Sequence, residues 1–417
     1  MSIPPSPQPL ASPRSSVPAL PPGTPFVVFG DDWGRFVSTI QHLFRQVLAR
    51  HPVVWVNSYG HRLPRLTAYD VRRAAEKLGA MLARPAVRAD AARRDPDSPI
   101  AILQPRALPW HQVPLVHALN TRSIVRDLRR TMADLFPGQR PVLVSSTPVA
   151  EGVVGCLDEL ASVYFCLDDY AELPQVSAEL VDAHERAMLR KVDAMVATAR
   201  ILLEKKPPAS GRAVHLPQGV NYEHFATPRP LPAELAAVPR PIIGFAGTLH
   251  SCCDLELIRA LSARFPEASL VFVGMHLIDP APVRLPNVHL LGARPYAELP
   301  AYVQGFDVGL IPYVVNDWTL AVDSLKLLEY LAAGLPVVTT AIPEARKYAD
   351  EVRVAETSDA FQAAVAAALA EPSARRDARQ ALAARHTWAQ RADTLLDLVA
   401  DIVAAKNGAD TCERPEK

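Results

Sequence analysis

The chain has 417 residues, more than one hydrophobic core normally holds, and its length predicts two or three domains. Its five cysteines have neither the spacing of metal ligands nor the even number of a disulfide framework, which favours a reducing compartment. No apolar run reaches the roughly 18 residues of a membrane-spanning helix, and the N-terminus lacks the basic and apolar regions of a secretory signal. These features argue against a disulfide-stapled secreted domain and against a membrane-spanning bundle.

The formal charge is balanced overall but uneven along the chain. Residues 1–220 carry 26 basic and 20 acidic side chains, and residues 221–417 carry 18 and 24, so the halves have opposite net charge. Basic side chains concentrate between Arg62 and Arg94, and a second row at helical spacing comprises Arg122, Arg126, Arg129 and Arg130. Such rows are either a solvated surface or a face for an anionic acceptor or membrane leaflet. Nucleic acid is not expected as a partner, because no nucleic-acid-binding motif accompanies the charge.

Short apolar strands alternate with amphipathic helical stretches over residues 25–220. The first 24 residues are rich in proline and serine, and we expect a disordered leader there. Strands are predicted at 26–30, 53–57, 100–104, 141–145, 162–167, 194–198 and 213–217. Strands that are apolar on both faces and alternate with helices are typical of a parallel sheet covered by helices, so residues 25–220 should form a Rossmann-like domain.

A proline-rich stretch at residues 221–240 interrupts this pattern, and we interpret it as a linker. The alternation resumes with strands at 241–247, 270–274, 287–291, 307–312, 336–340 and 352–356. We expect residues 241–385 to form a second Rossmann-like domain, 386–405 a C-terminal helix that can pack back on the first domain, and 406–417 a polar tail. The predicted fold class is α/β, with two doubly wound domains facing across a cleft where strand ends bind ligands.

The segment SLKLLEYLAAGLPVV, residues 324–338, places two charged side chains in otherwise apolar sequence. Asp323 or Ser324 fits the N-cap of a helix, and Gly334 fits the position after its end. Lys326 and Glu329 share one face of that helix. At a strand-end cleft, a lysine near a helix N-terminus can hold phosphate, and a carboxylate one turn later can accept hydrogen bonds from two sugar hydroxyls. The alternative is an ordinary surface ion pair.

Other strand ends also carry groups suited to a cleft. In IIGFAGTL, residues 242–249, Gly247 and Thr248 follow a buried strand, where backbone N–H groups can receive an anion, although turn formation alone also explains a glycine there. Asp32 in GDDWG and Asp169 in CLDDY follow strands of the first domain, either as acid–base groups or as structural caps and ion pairs. No metal site is expected, since the one Asp-x-Asp motif, at residues 95–97, falls in a predicted loop.

These motifs resemble those of the retaining glycosyltransferases of family 4 and their relatives with the GT-B fold. In that family, K-x-x-E followed by A-x-G-x-P-V-V marks the donor-nucleotide site, and this chain reads KLLEYLAAGLPVV from Lys326. FAGTL, LVFVG, the stretch 287–313, VDAMVATARILLEKK and HLPQGVNYEHF are also similar to family members. The likeness covers most of residues 160–345 and implies a GT-B fold with two Rossmann-like domains.

The resemblance implies roles for individual residues. The implied donor site consists of Glu329 at the ribose, Lys326 and Ser324 at the diphosphate, Gly247 and Thr248 at the phosphate through the backbone, and Tyr296 near the base.

Two positions depart from the family pattern. Members commonly carry a second glutamate eight residues before the ribose-binding one, where this chain has Ala321 and where the nearest acid is Asp323. The loop after FAGTL lacks a nearby basic residue, so His250 or Arg294 is expected to contribute instead.

We therefore expect a metal-independent glycosyltransferase that moves a sugar from a nucleoside-diphosphate sugar to the hydroxyl of a glycan or lipid-linked acceptor, in polysaccharide or glycolipid assembly. The nucleotide sugar is a co-substrate, and no other cofactor is expected. If the reaction inverts the anomeric configuration, it needs a base, for which Asp32 or Asp169 is suited by position. The expected location is the cytoplasm, and the basic rows leave open a peripheral place at the inner membrane face. Two alternatives remain, a nucleotide-sugar epimerase of similar fold and a catalytically silent module that binds nucleotide-sugar or glycan.

Overall fold

The computed structural model of the chain describes residues 19–35, 37–59, 86–87, 98–108, 113–173, 176–371 and 373–412. The basic side chains between Arg62 and Arg94, the Asp-x-Asp motif and the first 18 residues lie outside this part of the chain. None of the helices in the described ranges is long and apolar enough to cross a membrane.

The first sheet has eight strands among the described residues, in the spatial order β3-β4-β2-β1-β5-β6-β7-β8. They are β1 (Phe26–Phe29), β2 (Val53–Val56), β3 (Ala86–Val87), β4 (Ala101–Leu103), β5 (Val142–Ser145), β6 (Ala161–Cys166), β7 (Ala194–Ala197) and β8 (Ala213–His215). All neighbours pair in parallel except β3, a two-residue edge strand antiparallel to β4. Alternate residues enter different cores, Val27 and Phe29 on one face and Phe26 and Val28 on the other. Both faces are therefore covered, as continuous apolar strands require.

The second sheet has six parallel strands in the order β11-β10-β9-β12-β13-β14. They are β9 (Ile242–Ala246), β10 (Ser269–Val273), β11 (Val288–Gly292), β12 (Val308–Ile311), β13 (Val337–Thr340) and β14 (Val352–Ala355). The winding direction reverses between β9 and β12, and in doubly wound sheets ligands bind in the crevice at that reversal. The predicted α/β class with two doubly wound sheets is confirmed.

Thirteen α-helices of the described residues surround the sheets. They are α1 (Thr39–Val47), α2 (Pro114–Leu135), α3 (Ala178–Lys191), α4 (Arg200–Lys205), α5 (Tyr222–Ala226), α6 (Ala233–Ala236), α7 (Leu255–Arg264), α8 (Leu299–Gln304), α9 (Asp317–Leu320), α10 (Leu325–Ala332), α11 (Ser358–Leu369), α12 (Arg376–Ala384) and α13 (Trp388–Cys412). Trp388 and Leu395 of α13 lie in the core of the first sheet. The last helix thus returns to the first domain.

Three segments differ from what their composition predicts. Leu20, within the expected disordered leader, is buried in the core of the first domain, where it joins the apolar side chains of that cluster. The proline-rich stretch 221–240 forms α5 and α6, whose Phe225 and Leu235 are fully buried in the second core. Helix α13 continues to Cys412, beyond the expected start of the polar tail.

Candidate active site

Tyr330 fixes helix α10 against the reversal point of the second sheet. Its ring packs on Gly309 of β12, where an added Cβ would come within 2.5 Å of a ring atom. Its hydroxyl accepts a hydrogen bond from the Ala246 N–H at 2.8 Å, at the end of β9. Gly334, with φ of +81°, follows the helix end as predicted. The helix is therefore held by both strands that flank the crevice.

Lys326 lies across the loop that follows β9. A Cβ on Gly247 would come within 2.0 Å of Lys326 Cε, so any larger residue there would displace this side chain from its position. The ammonium donates to the Tyr313 hydroxyl at 3.1 Å and lies 5.4 Å from the centre of the Phe245 ring. Burial acts to lower the pKa of Lys326, but the neighbouring tyrosines and Glu329 outweigh it and raise the pKa above its ordinary value. An ammonium that gives one of its three donors to a hydroxyl has two left for an anion.

Glu329 lies one turn after Lys326 and is half-buried. Within the described part of the chain its carboxylate forms no ion pair and receives no hydrogen bond, so the surface ion pair between these two residues is not present. Burial raises the pKa of Glu329 to about 7, and the charge of Lys326 offsets this only in part. The Ser324 hydroxyl, at the start of the helix, is also buried and has no hydrogen-bond partner among the described residues. A cation, a carboxylate and a hydroxyl thus share one helix end with unused hydrogen-bonding capacity, which a polar anionic ligand can fill.

Tyr296 lies near Glu329 in an aromatic cluster at the domain interface. Its ring stacks on His224 at 4.6 Å and lies 5.0 Å from His42 of α1, which itself stacks on Trp388 of α13 at 5.3 Å. Burial and the charge of Glu329 raise the pKa of Tyr296. Burial lowers the pKa of His42 to about 3, so its ring is neutral. Helices of the first domain therefore close one side of the candidate site.

The loop after β9, which is predicted to bind phosphate through its backbone, has fewer free N–H groups than expected. The Gly247 N–H donates to the Val273 carbonyl at 2.8 Å, so this amide is engaged in the sheet. Thr248 follows it, half-buried, and remains the predicted backbone donor. Arg294 forms an ion pair with Glu234 at 2.8 Å, so its guanidinium is already engaged in the unliganded protein. Gly247 therefore serves the site through its missing side chain rather than through its amide.

The two aspartates after β6 have different surroundings. Asp169 is 4% exposed and accepts hydrogen bonds from Lys205 at 3.2 Å and Lys206 at 2.8 Å. Burial acts to raise the pKa of Asp169, but the two lysines outweigh it and lower the pKa. Asp168 accepts a hydrogen bond from Trp318 Nε1 of α9 at 3.2 Å, across the domain interface, and burial raises its pKa to about 6. The geometry favours Asp168 over the predicted Asp169 as an acid–base group.

Asp32 follows β1 as predicted, but its carboxylate is engaged within the first domain. It accepts a hydrogen bond from the Ser58 hydroxyl at 2.8 Å and lies 3.7 Å from the Arg35 guanidinium. His250 packs edge-on against Trp318, with ring centres 5.2 Å apart. Trp318 therefore links the loop after β9 to the strand end of the first domain.

We expect Asp169→Asn to lower the free energy of unfolding by about 2 kcal/mol at pH 7.5, because Lys205 and Lys206 lose the carboxylate they share. The sign follows from the lowered pKa: the stabilisation is present above the unfolded value and is lost as pH falls through the folded one. Asp168→Asn is the matched control, since an amide can still accept from Trp318, and we expect little change in stability. Urea denaturation of both variants measures this, and equal losses would contradict the division of roles.

Ala321 and Asp323 do not supply the acid that the family pattern has. Ala321 is fully buried and packs in the core cluster of the first domain. Asp323 accepts hydrogen bonds from the Gln218 N–H and from Lys347 Nζ, both at 2.9 Å, and so joins the domains. The segment before α10 is therefore part of the domain interface.

We expect Ala321→Glu to destabilise the protein by about 3 kcal/mol or more, because it inserts a larger, charged side chain into a packed interface. Ala236→Glu, on an exposed face of α6, is the matched control and should change stability by about 0.5 kcal/mol at most. Thermal unfolding compares the two. A stable Ala321→Glu variant would show that this position opens to the cleft.

Two side chains of the site, Tyr313 and Trp318, are not among those predicted from the sequence. Tyr313 directly follows the predicted strand 307–312, so its place at a strand end could have marked it. Trp318 lies in a segment that is predicted as a loop, because its apolar residues show no helical or strand periodicity. Its hydrogen-bond partner Asp168 is 150 residues away in the chain. No local signal reveals a contact of that kind.

The sequence of the chain is similar to those of known proteins over parts of its length. Residues 255–397 match a family model described as glycosyl transferase-like. A teichuronic acid biosynthesis glycosyltransferase by name, TuaH of Bacillus subtilis (strain 168), is 28% identical over 204 residues, which are 44% of this chain and 51% of TuaH. The chain thus spans about half the length of the curated relative it matches.

Solved structures resemble most of the chain. Sucrose-phosphate synthase of Thermosynechococcus elongatus is 16% identical with a TM-score of 0.66, over 92% of this chain and 100% of that one. HepE of Anabaena, in complex with UDP, is 11% identical with a TM-score of 0.62, over 90% and 100%. A UDP-forming trehalose-phosphate synthase of Burkholderia xenovorans, in complex with glucose-6-phosphate, is 14% identical with a TM-score of 0.61, over 90% and 100%. At these identities the likeness shows the fold.

Proposed function

We propose that the chain is a glycosyltransferase of GT-B fold and that it moves a sugar from a nucleoside-diphosphate sugar to a hydroxyl acceptor. The observation that carries this proposal is the group at the start of α10. Within the part of the chain that the structure describes, Lys326 uses one of its three ammonium donors, the Glu329 carboxylate is unused, and the Ser324 hydroxyl lacks a partner. A diphosphate with an attached ribose matches these three groups in charge and in hydrogen-bonding type.

The same residues can assist departure of the nucleotide. When the bond from the sugar to the diphosphate breaks, negative charge grows on the leaving phosphate. Lys326 and the N-terminus of α10 stabilise that charge, because both are already in place and partly shielded from water. Asp168 lies at the facing strand end with a pKa of about 6 and is the group we propose to exchange a proton with the acceptor.

The relatives support polysaccharide assembly as the setting and UDP as the first nucleotide to test. TuaH is named for teichuronic acid biosynthesis, HepE was solved with UDP, and the trehalose-phosphate synthase is UDP-forming. We therefore propose a UDP-sugar donor and a glycan or lipid-linked acceptor.

Thermal unfolding with a panel of nucleoside diphosphates tests the donor site. We expect one of them, UDP first, to raise Tm for the wild type and not for Glu329→Ala. Incubation of the matching nucleotide sugar with and without glycan acceptors then identifies the reaction. Transfer requires acceptor, an epimerase changes the free donor alone, and a silent module releases no nucleotide. Absence of stabilisation by every nucleotide would overturn the proposal.

The exposed face of α2 is where we propose that an anionic membrane or lipid-linked acceptor approaches. Its side chains Arg122, Arg126 and Arg130 line a shallow groove of about 510 Å³. Leu115 and Leu119, near the start of the same helix, are 69% and 47% exposed. Basic and apolar side chains on one surface fit an anionic leaflet, where each basic residue contributes about 1 kcal/mol.

Sedimentation with vesicles of phosphatidylglycerol, against phosphatidylcholine, tests this face. We expect the protein to sediment with the anionic vesicles at low salt and to be released at high salt. Reversing the charge of Arg126 and Arg130 to glutamate should abolish sedimentation. Sedimentation with anionic vesicles that does not change with salt or with these substitutions would contradict the assignment.

A further inference from the structure

Three metal-ligating side chains converge in the first domain, away from the helix that bears Lys326 and Glu329. They are His117 of α2, Glu151 of the 3-10 turn Pro148–Gly152, and His184 of α3. His117 Nε2 lies 2.8 Å from Glu151 Oε1, and His184 Nδ1 lies 3.3 Å from the same oxygen. The three ligand atoms lie within 4.8 Å of one another. We propose that these residues bind a divalent transition-metal ion of the zinc class.

The donor set suits such an ion. Two imidazole nitrogens and one carboxylate oxygen form a common set of protein ligands for zinc, with a fourth position open to water. Metal–ligand bonds of about 2.1 Å place tetrahedral ligand atoms roughly 3.4 Å apart. The distance from Glu151 to His184, 3.3 Å, is already near that value, and the distance to His117, 2.8 Å, would lengthen as an ion replaced the hydrogen bond.

The three side chains are held in place before any ion binds. Their side chains are only 16%, 11% and 10% exposed, for His117, Glu151 and His184 respectively. Lys191 Nζ donates to Glu151 Oε2 and to the Glu151 carbonyl, both at 2.9 Å, and so fixes the carboxylate with its other oxygen toward the imidazoles. A partner on the second oxygen is the kind of support that orients metal-ligating carboxylates.

The charge of Lys191 is the main opposing factor. Its side chain is 43% exposed, so water screens the repulsion between the ammonium and an ion on the other carboxylate oxygen. The alternative is a cluster without metal, in which both imidazoles donate to Glu151 Oε1. In that arrangement His184 carries its proton on Nδ1, and Nε2 is buried with no hydrogen-bond partner among the described residues. With an ion bound, His184 coordinates through Nδ1 and carries its proton on Nε2, so the tautomer of His184 distinguishes the two arrangements.

The position of the site gives a bound ion a structural role in the first domain. The turn that bears Glu151 follows β5, next to the point where the winding of the first sheet reverses between β1 and β5. An ion there would tie α2, this turn and α3 together at the end of the sheet that faces the cleft. This role is separate from sugar transfer and does not rest on the proposed function.

Titration of the metal-stripped full-length protein with Co²⁺ tests the site, because tetrahedral Co²⁺ absorbs visible light. We expect one ion per chain, an absorption band between about 500 and 650 nm, and displacement by Zn²⁺. Zn²⁺ should also raise Tm by about 3 °C at a hundredfold excess over its Kd.

Variants locate the bound ion. His117→Gln and His184→Gln should each abolish the band and the Tm rise, whereas His289→Gln, a half-buried histidine on β11, should leave both unchanged. Circular dichroism checks that each variant is folded, and Glu151→Gln gives a third readout where one of the histidine variants unfolds. No stoichiometric binding in the wild type, or binding that survives His117→Gln and His184→Gln, would overturn the proposal in favour of a hydrogen-bonded cluster.

Discussion

Lys326→Met is expected to weaken nucleoside-diphosphate binding about 100-fold while leaving the fold intact. Each hydrogen bond from a charged donor to a phosphate contributes about 1.5–3 kcal/mol, and the ammonium has two donors free for it. Methionine keeps the apolar stem that passes over Gly247, so the packing of the loop after β9 is preserved. It also relieves the cost of a buried cation that has a hydroxyl as its hydrogen-bond partner. Isothermal titration with UDP measures the loss.

Lys347→Met is the matched control, because it removes a lysine of the same domain whose partners are structural. Lys347 Nζ lies 2.9 Å from Asp323 and 3.2 Å from Glu344, and both carboxylates are buried. We expect this variant to lose about 3 kcal/mol of stability and to keep its affinity for the nucleotide. The two substitutions should therefore separate binding from folding. A Lys326→Met variant that binds UDP as well as the wild type would remove Lys326 from the donor site.

Other buried acidic residues of the protein differ from Glu329 in their charged partners. Asp323, Glu344 and Asp169 are buried with lysine partners, so their charges are already used in the native structure. Glu344 also accepts a hydrogen bond from the Arg200 N–H at 2.7 Å and joins the two domains. The pKa values of Asp169 and Glu344 are lowered by their charged partners, whereas burial raises the pKa of Glu329. A carboxylate in that condition is suited to bind a ligand rather than to support the fold.

Much of this arrangement could be predicted from the sequence. The strands follow from short apolar runs, and α10 follows from apolar residues at helical spacing and from Gly334 after its end. A helix after a strand of a parallel sheet has its N-terminus at the strand ends, which places Lys326 near the crevice. These predictions depend on contacts within a few residues, which local patterns encode.

The remaining features depend on contacts between distant parts of the chain. Asp168 and Asp169 are adjacent and equivalent in sequence, and they differ because Trp318 approaches one and two lysines approach the other. The Gly247 amide is used by a neighbouring strand, which only the sheet order determines. The histidine cluster combines residues up to 67 positions apart, from His117 to His184. No spacing rule along the chain reveals such groups.

Glu329→Gln is expected to change the pH dependence of nucleotide binding. The pKa of Glu329 is about 7, so its carboxylate is mostly ionised at pH 8 and mostly protonated at pH 6. Only the ionised form can accept hydrogen bonds from both ribose hydroxyls with full strength. We therefore expect wild-type affinity for UDP to fall about tenfold from pH 8 to pH 6, beyond any change in the titrating phosphate.

Glu329→Gln is the reference for that measurement, because glutamine has nearly the same shape as glutamate and does not titrate. We expect Glu329→Gln to bind UDP about 10-fold more weakly than the wild type at pH 8 and to converge with it near pH 6. The stability of the unliganded protein should change in the opposite direction. Because the folded pKa of Glu329 is above the unfolded one, the native state keeps a proton that the unfolded chain has lost between pH 4.5 and 7, so stability falls as pH rises through this range.

These opposite trends distinguish a ligand-binding carboxylate from a structural one. A carboxylate that supports the fold, such as Asp169 with its lowered pKa, loses stabilisation as pH falls. A carboxylate that binds ribose instead lowers the free energy of unfolding when it ionises in the unliganded protein. Binding of the nucleotide restores that stability. Urea denaturation of both proteins from pH 5 to pH 8, with and without UDP, measures the two effects together. Parallel stability curves for wild type and Glu329→Gln in the absence of UDP would show that Glu329 titrates normally and would contradict this assignment.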